Sequence, residues 1–213
     1  MRKPETQLGT RSHAVQGRVA SRDSNLGLNF TARMRTLCEH VVGTLDEFQH
    51  IDLSRVAVSF AQARKPVMHG LQASLTPLRF AGGATTGTVR GRQYTVQPVC
   101  DTAGNEMLYV LNFYLPRFMQ LVFREKLVTV LHELWHISPN FDGDLRRHAG
   151  RCYAHSHSQA DYDQQMEPFV EAWLATEPPK VLIDFLQLDF PQVQERYGRV
   201  YGLKLPRPKL IPS

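Results

Sequence analysis

The sequence predicts an α+β fold, because strand-like and helix-like patterns occupy different parts of the chain. Apolar residues alternate with small or polar ones at several places between residues 56 and 115, which is typical of half-buried strands. After Pro116 the apolar residues recur every three or four positions instead, which is typical of amphipathic helices. The chain of 213 residues is long enough for one well-buried core, and 42% hydrophobic with 21% charged residues is typical of a soluble globular protein.

The first predicted elements are one helix and a group of strands. Residues 34–48 carry apolar side chains at three- and four-residue steps, so we expect an amphipathic helix there. The strands are expected at residues 56–60, 71–80, 93–99 and 107–115. The last two would pair with each other across a turn at residues 101–105.

Helices are predicted for most of the second half of the chain. The first should run from about residue 118 to residue 137, because Pro139 cannot continue a helix. A second is expected at residues 158–176, where Pro168 either kinks it or begins a new one, and a shorter third at residues 181–197.

Positive charge is concentrated at the two ends of the chain. The formal net charge is +5, yet residues 1–36 hold seven Lys or Arg against two acids, and residues 196–213 hold five Lys or Arg and no acid. We therefore expect one domain at residues 29–197, preceded by a basic flexible arm at 1–28 and followed by a basic Pro-rich tail at 198–213.

Several classes of protein are disfavoured by composition and motifs. No apolar run approaches the roughly 18 residues of a membrane helix, and no apolar segment follows the basic N-terminus as in a signal peptide, so we expect a cytoplasmic protein that does not enter a membrane. Cys38, Cys100 and Cys152 are widely spaced and odd in number, which predicts reduced thiols. The sequence has no Walker loop, no G-x-G-x-x-G and no G-x-S-x-G, so nucleotide binding and serine-hydrolase chemistry have no basis in it.

The motif that carries chemistry is H-E-x-x-H, formed by His132, Glu133 and His136. Residues four apart lie one helical turn apart, so both imidazoles can reach one zinc ion at about 2.0–2.1 Å. On a helical projection the two histidines and the glutamate lie within about 100° of one another and outside the apolar stripe. Glu133 is poorly directed for ligation and is instead placed to take a proton from water and deliver it to a leaving amine. An ordinary amphipathic helix with exposed His and Glu is the simpler alternative.

A catalytic zinc site needs a third protein ligand and one open position. His148 is the preferred candidate, because Pro139 and the pair Asp142-Gly143 turn the intervening loop back towards the helix. The residues leave open the alternatives His155, His157, Cys152, Asp142, Asp144, Glu167 and Glu171.

The segment from His132 to His148, H-E-L-W-H-I-S-P-N-F-D-G-D-L-R-R-H, resembles a metallopeptidase family of phages and prokaryotes. These are zincin-like proteins related in layout to the SprT-type group. The resemblance is sharp over residues 129–150, looser over 56–174, and does not cover the arm or the tail. It implies a zincin-like fold, with a small mixed sheet packed on the metal helix and a C-terminal helical part, and a zinc-dependent peptidase. The L-R-x-H-G element of that family places its third zinc ligand on His148, although Ala149 separates this histidine from Gly150 here.

Other residues near the motif have both functional and structural interpretations. Asp142 and Asp144 would either accept the second ring N–H of a ligand histidine or serve as turn residues around Gly143. The candidates to stabilise an oxyanion are Arg146, Arg147, Tyr153 and Tyr162, with surface charge the simpler explanation for the arginines. The resemblance also implies that the strand at residues 107–115 is an edge strand that receives an extended substrate. The histidines without partner spacing, expected to be structural or on the surface, are His13, His40, His50 and His69.

The leading interpretation is thus a zinc metallopeptidase that acts on a peptide or protein substrate, with Zn²⁺ on His132, His136 and His148 and with Glu133 as general base. A second interpretation is a non-catalytic zinc-binding module that binds nucleic acid or a protein partner through its basic ends, where four protein ligands would close the metal site. A third is metal-dependent hydrolysis of a non-peptide amide, which the motif alone does not separate from peptide hydrolysis.

Overall fold

The computed structural model of the chain describes residues 27–63, 70–147 and 159–213, with side chains described from residue 164 onward in the last of these ranges. These residues form a mixed α+β structure. The strands are β1 (Leu28–Asn29), β2 (Val56–Gln62), β3 (Ala73–Pro77), β4 (Thr86–Val89), β5 (Arg92–Val96), β6 (Tyr109–Leu115), β7 (Val200–Tyr201) and β8 (Leu210–Pro212). The helices are α1 (Phe30–Thr44), α2 (Arg117–Gln120), α3 (Phe123–Trp135), α4 (Gln159–Leu174), α5 (Lys180–Ile183) and α6 (Phe190–Tyr197).

The central sheet has three strands in the order β2, β6, β3. It is mixed, because β2 runs parallel to β6 while β3 runs antiparallel to it. The residues of β6 that point to the helical side of the sheet, Tyr109, Leu111 and Phe113, are fully buried. As residues i and i+2 of a strand share a face, this pattern builds one continuous apolar surface for the helices to cover.

The main core lies between this sheet and the helices. Phe30, at the start of α1, packs edge-to-face against four other rings with centroid separations of 5.8 to 6.4 Å. These rings belong to Phe60, Phe113, Phe118 and Phe185. Strand, helix and C-terminal segments are therefore joined at one aromatic centre.

The opposite face of the central sheet is covered by a smaller apolar cluster. Ala57, Leu78, Met107 and Val110 are buried there, with Val96, Val99 and Leu205 packed against them. Two further sheets lie beyond the central one: β4, β5 and β8 form an antiparallel sheet in that order, and β1 pairs with β7 in parallel. The segment at residues 198–213, predicted to be a tail, thus contributes one strand to each of these two sheets.

The pairing predicted between residues 93–99 and 107–115 is wrong as a sheet pairing. β5 pairs with β4 and β8, whereas β6 pairs with β2 and β3. A single antiparallel bridge between Cys100 and Glu106 joins the two segments at the predicted turn. The predicted turn at residues 101–105 is therefore confirmed. The partners of each strand, in contrast, are set by burial against distant parts of the chain.

The predicted helix at residues 118–137 is divided into α2 and α3. Leu121 and Val122, between them, have ψ angles of 152° and 158°, which are extended rather than helical values. The backbone N–H of Val122 donates to the carboxylate of Glu125 and so gains a partner at the helix start. Similarly, the helix predicted at 181–197 is divided into α5, a 3-10 turn at Asp184–Gln187, and α6.

The helices in the described part of the chain are also too short or too polar to cross a membrane.

Candidate metal centre

α3 and its C-cap residue, His136, carry the H-E-x-x-H motif beside a buried apolar stripe. Leu127, Val130, Leu131 and Leu134 are each at most 2% exposed, so they fix the rotation of the helix about its axis. His132 and His136 are 6% and 8% exposed, and their ring centroids lie 4.7 Å apart with the ring planes inclined by 74°. The sequence therefore brings two buried imidazoles together one turn apart, as its spacing predicts. Glu133, on the next position after His132, is partly buried.

The helix ends at this motif, and the chain immediately turns back. The N–H of His136 donates to the carbonyl oxygen of His132 at 3.3 Å, and Ile137 then forms an antiparallel bridge with Leu145. The N–H of Arg146 donates to the carbonyl oxygen of His136 at 2.7 Å. We call residues 138–147 the return loop, because they lead the chain away from the helix end and bring it back there.

Tyr109 on β6 forms two hydrogen bonds with the return loop. Its hydroxyl donates to the carbonyl oxygen of Asp144 at 2.8 Å and accepts from the N–H of Gly143 at 3.0 Å. Burial raises the pKa of Tyr109 to about 12, so the phenol stays protonated and keeps its donor. Gly143 has φ +87°, and a Cβ there would lie 2.5 Å from Cγ of Arg79. The loop therefore needs glycine at this turn on both backbone and steric grounds.

The Asp144 carboxylate also stabilises the return loop through hydrogen bonds. It accepts from Nε and Nη2 of Arg147 at 2.8 and 3.0 Å and from the backbone N–H of Gly82 at 3.0 Å. Burial raises the pKa of Asp144, but the hydrogen bonds from Arg147 and Gly82 outweigh it and leave the pKa below its usual value. The Asp142 carboxylate accepts from the N–H of Asp144 at 3.1 Å. These contacts are those of turn residues, one of the two interpretations of this pair.

The two arginines of the loop also have structural contacts. The Arg146 guanidinium lies 3.8 Å above the centre of the Trp135 ring, and its Nε donates to the Trp135 carbonyl oxygen at 2.7 Å. A cation is stabilising at the C-terminus of a helix, where the last carbonyl groups lack intrahelical partners. Arg146 thus caps α3, while Arg147 pairs with Asp144. Of the other oxyanion candidates, Tyr153 lies outside the described residues and the side chain of Tyr162 is not described.

The third-ligand candidates divide into two groups. His148, Cys152, His155 and His157 lie outside the described residues. In the three described ranges, no three His, Cys, Asp or Glu side chains come together in a group that could hold a metal ion. Glu167 and Glu171, on α4, both pair with Arg124 at the start of α3, more than two helical turns before His136.

Two of the remaining histidines have structural contacts, as expected. Nδ1 of His40 accepts from the indole N–H of Trp173 at 3.1 Å, which joins α1 to α4. Burial lowers the pKa of His50, the nearby charge of Arg146 lowers it further, and hydrogen bonds with the backbone of Ile137 and Glu47 partly offset both. His13 and His69 lie outside the described residues.

The expectation that residues 107–115 form an edge strand is wrong. β6 is the central strand, with β2 on one side and β3 on the other, so its backbone hydrogen bonds are already used. The strand next to α3 is β3, which has β6 as its one strand neighbour in the described structure. The sequence analysis did not identify β3 as the edge strand beside α3. Pro77 is a signal of such an edge, because proline has no backbone N–H to donate to a neighbouring strand.

No family model, no curated protein and no solved structure matches this chain.

Proposed function

We propose that the protein is a zinc-dependent peptidase of zincin-like layout, with His132 and His136 as two of the metal ligands. The observation that carries this proposal is the pair of buried imidazoles, whose ring centroids lie 4.7 Å apart. The carboxylate of Glu133 follows directly after the first of these histidines. Two imidazoles one helical turn apart can each direct one ring nitrogen at the same metal ion.

The donor set fits a zinc ion. Two imidazoles are borderline ligands of the kind that Zn²⁺ prefers, and rings this close can both reach one ion at about 2.0–2.1 Å. We propose His148 as the third ligand. Arg146 bonds to the carbonyl of His136, and His148 follows two residues later in the chain. His155, His157 and Cys152 are the alternatives in the same part of the chain.

The chemistry follows from the position of Glu133. Bound zinc supplies Lewis acidity towards water and towards the carbonyl of the scissile bond. Glu133 accepts the proton of the attacking water and delivers it to the amine that leaves, so one carboxylate serves as base and then as acid.

The free edge of β3 is the proposed binding position for an extended substrate. A peptide can add to a sheet edge by backbone hydrogen bonds, and β3 is the edge that packs beside α3. In this position the scissile bond lies alongside the metal helix. The activity proposed is therefore endoproteolysis of an extended segment.

The test compares the full-length wild type with Glu133→Gln and with Glu125→Gln. Both variants remove one carboxylate from α3, but Glu125 lies at the helix start, where it accepts from Val122. Zinc content is measured by elemental mass spectrometry, and cleavage is measured on casein and on a randomised peptide library, with and without 1,10-phenanthroline. We expect chelator-sensitive cleavage by the wild type and by Glu125→Gln. Glu133→Gln should keep its zinc and lose about 100-fold or more in rate.

Retention of cleavage by Glu133→Gln would contradict the assigned role of Glu133. Failure of the zinc-loaded wild type to cleave any library member would contradict the proposed peptidase activity. Cleavage that survives the chelator would contradict a role for the metal in the reaction.

A further inference from the structure

The face of the central sheet that is turned away from α3 carries a row of polar residues. Ser59 on β2 and Ser74 on β3 are both register partners of Asn112 on β6, so their side chains lie next to one another across the three strands. In the next row on the same face, Ala57 and Val110 belong to a buried apolar cluster. The polar row therefore interrupts an apolar surface, and its members need hydrogen-bond partners wherever water does not reach them.

A cavity of about 280 Å³ lies over this row. Asn112, Ser74 and Thr76 line its polar part, and Val110 and Leu205 line its apolar part. Sites for small ligands have this composition, with an apolar surface that holds the body of the ligand and a few polar groups that fix its orientation. The volume is close to the lower end of the range for such sites, about 300–1,000 Å³, and so favours a small ligand or the end of a larger one.

The polar groups that line the cavity can donate hydrogen bonds. The side chain of Asn112 forms no hydrogen bond with any described residue, and its Oδ1 is shielded from solvent, so Nδ2 is the atom that it presents to the cavity. The hydroxyl groups of Ser74 and Tyr114 meet at 3.2 Å, and since one of them donates to the other, one O–H is left to donate to a ligand. These groups favour a ligand that accepts hydrogen bonds.

One wall of the cavity is a segment that is held at both ends. The carbonyl oxygen of Leu203 accepts from the N–H of Phe60 at 3.0 Å, and that of Lys209 accepts from the N–H of Gln97 at 2.8 Å. Between these two points stands the sequence Pro-Arg-Pro, at residues 206–208. Each proline ring fixes its own φ angle and restricts the residue before it to extended backbone. The wall is therefore formed before a ligand binds.

Arg207 brings a positive charge to the cavity. It lines the cavity and is exposed to solvent, so it lies at the opening. It forms no ion pair or hydrogen bond with another residue of the described ranges, and no described Asp or Glu lines the cavity. A guanidinium group binds a carboxylate through two parallel hydrogen bonds, so the opening favours an anionic group of this shape.

We infer that this cavity binds a carboxylate that is joined directly to an apolar body, a role that does not depend on the proposed peptidase. Arg207 pairs with the carboxylate, and Nδ2 of Asn112 donates to one of its oxygens. The apolar body packs against Val110 and Leu205. Two sources have this chemistry: a free aliphatic carboxylic acid, and the carboxyl-terminal residue of a peptide when that residue is apolar.

The test measures the binding of isocaproate to the full-length protein by isothermal titration calorimetry. Isocaproamide is the control ligand, because it keeps the apolar body and loses the charge. We expect a dissociation constant of about 1 mM or less for the acid, and binding about tenfold or more weaker for the amide. N-acetyl-L-leucine distinguishes the two sources, because it imitates the end of a peptide. If it binds more tightly than isocaproate, the ligand is a peptide end, and if it binds no more tightly, the ligand is a free acid.

Arg207→Gln is compared with Lys209→Gln, which makes the same change in net charge in the same segment. Both residues are exposed, but Lys209 does not line the cavity. We expect Arg207→Gln to bind isocaproate about tenfold or more weakly and Lys209→Gln to bind it as the wild type does.

Asn112→Leu separates binding from folding. The Asn112 side chain has no hydrogen bond to lose within the described structure, so this variant should be no less stable than the wild type in urea unfolding. It should nevertheless bind isocaproate several-fold more weakly, because the donor at Nδ2 is gone.

Four results would overturn the inference. Two of them are the absence of saturable binding of isocaproate to the wild type, and equal weakening by Arg207→Gln and Lys209→Gln. The third is that inorganic phosphate competes as well as isocaproate, because the apolar wall would then have no role. The fourth is loss of binding on addition of 1,10-phenanthroline, which would place the acid on the proposed metal centre instead.

Discussion

The hydroxyl of Tyr109 donates a hydrogen bond of 2.8 Å to the carbonyl oxygen of Asp144 and so ties the central strand of the sheet to the loop that returns to α3. Both partners are buried, and the same hydroxyl accepts from the N–H of Gly143. The loop and the two histidines are therefore held against one rigid strand.

Removing this hydroxyl should destabilise the fold. Tyr109→Phe leaves the N–H of Gly143 buried without its partner, which costs about 1–3 kcal/mol in the free energy of unfolding. Urea denaturation measures the change. Tyr114→Phe is the control on the same strand, because its hydroxyl is only partly buried and meets Ser74 at 3.2 Å. We expect less than about 1 kcal/mol for the control, and equal losses in the two variants would contradict the role given to Tyr109.

The turn at Gly143 should not tolerate even a methyl group. In Gly143→Ala the new Cβ meets Arg79, whose guanidinium is anchored by Glu106 at 2.7 Å and cannot move aside without losing that ion pair. Gly91→Ala is the matched control, with φ +78° against +87° but nothing within 4 Å of its added Cβ. The overpacking should make Gly143→Ala less stable than the control by about 1–3 kcal/mol in thermal or urea unfolding. A control that is equally destabilised would show that backbone strain alone accounts for the loss.

Stability should rise with pH because of Lys126. This residue of α3 is 1% exposed, and its ammonium donates to the carbonyl oxygens of Leu186 and Leu188 at 2.8 and 2.7 Å. Burial lowers its pKa from 10.5 to about 8, with a small opposing effect from Asp189. Between these two values the unfolded chain binds more protons than the folded one, so the free energy of unfolding increases with pH across this window.

The increase expected from Lys126 is on the order of 3 kcal/mol. It is measured as the difference in urea stability between the wild type and Lys126→Met at pH 7, 8, 9 and 10, because methionine does not titrate. A difference that stays flat from pH 8 upward would refute the lowered pKa.

The features that the sequence predicts well are those decided by neighbours along the chain. α3 follows from the three- and four-residue spacing of Leu127, Val130, Leu131 and Leu134, and its end follows from Pro139, three residues beyond the motif. The alternation at Tyr109, Leu111 and Phe113 likewise predicts the buried face of β6. The mixed α+β class is confirmed on this basis.

The features that the sequence misses depend on distant partners. β7 and β8 have two and three residues, too few to show a period of two. These segments are extended because they pair with the open edges of β1 and β5. The partners of β6 are likewise set by burial against distant segments, and the pattern of β6 does not indicate that β2 and β3 are its neighbours. The partners of Tyr109 lie 34 and 35 residues away, so no local signal could indicate them.

The most direct test of the proposed metal centre is the zinc content of the purified full-length protein after loading and dialysis, measured by elemental mass spectrometry. The account predicts about one zinc per chain in the wild type and a large loss of bound zinc in His136→Ala. The control His40→Ala should retain the wild-type zinc content. His40 accepts a hydrogen bond from Trp173 in the contact between α1 and α4 and is not part of the motif. No bound zinc in the loaded wild type, or equal zinc in the wild type and His136→Ala, would contradict the metal centre.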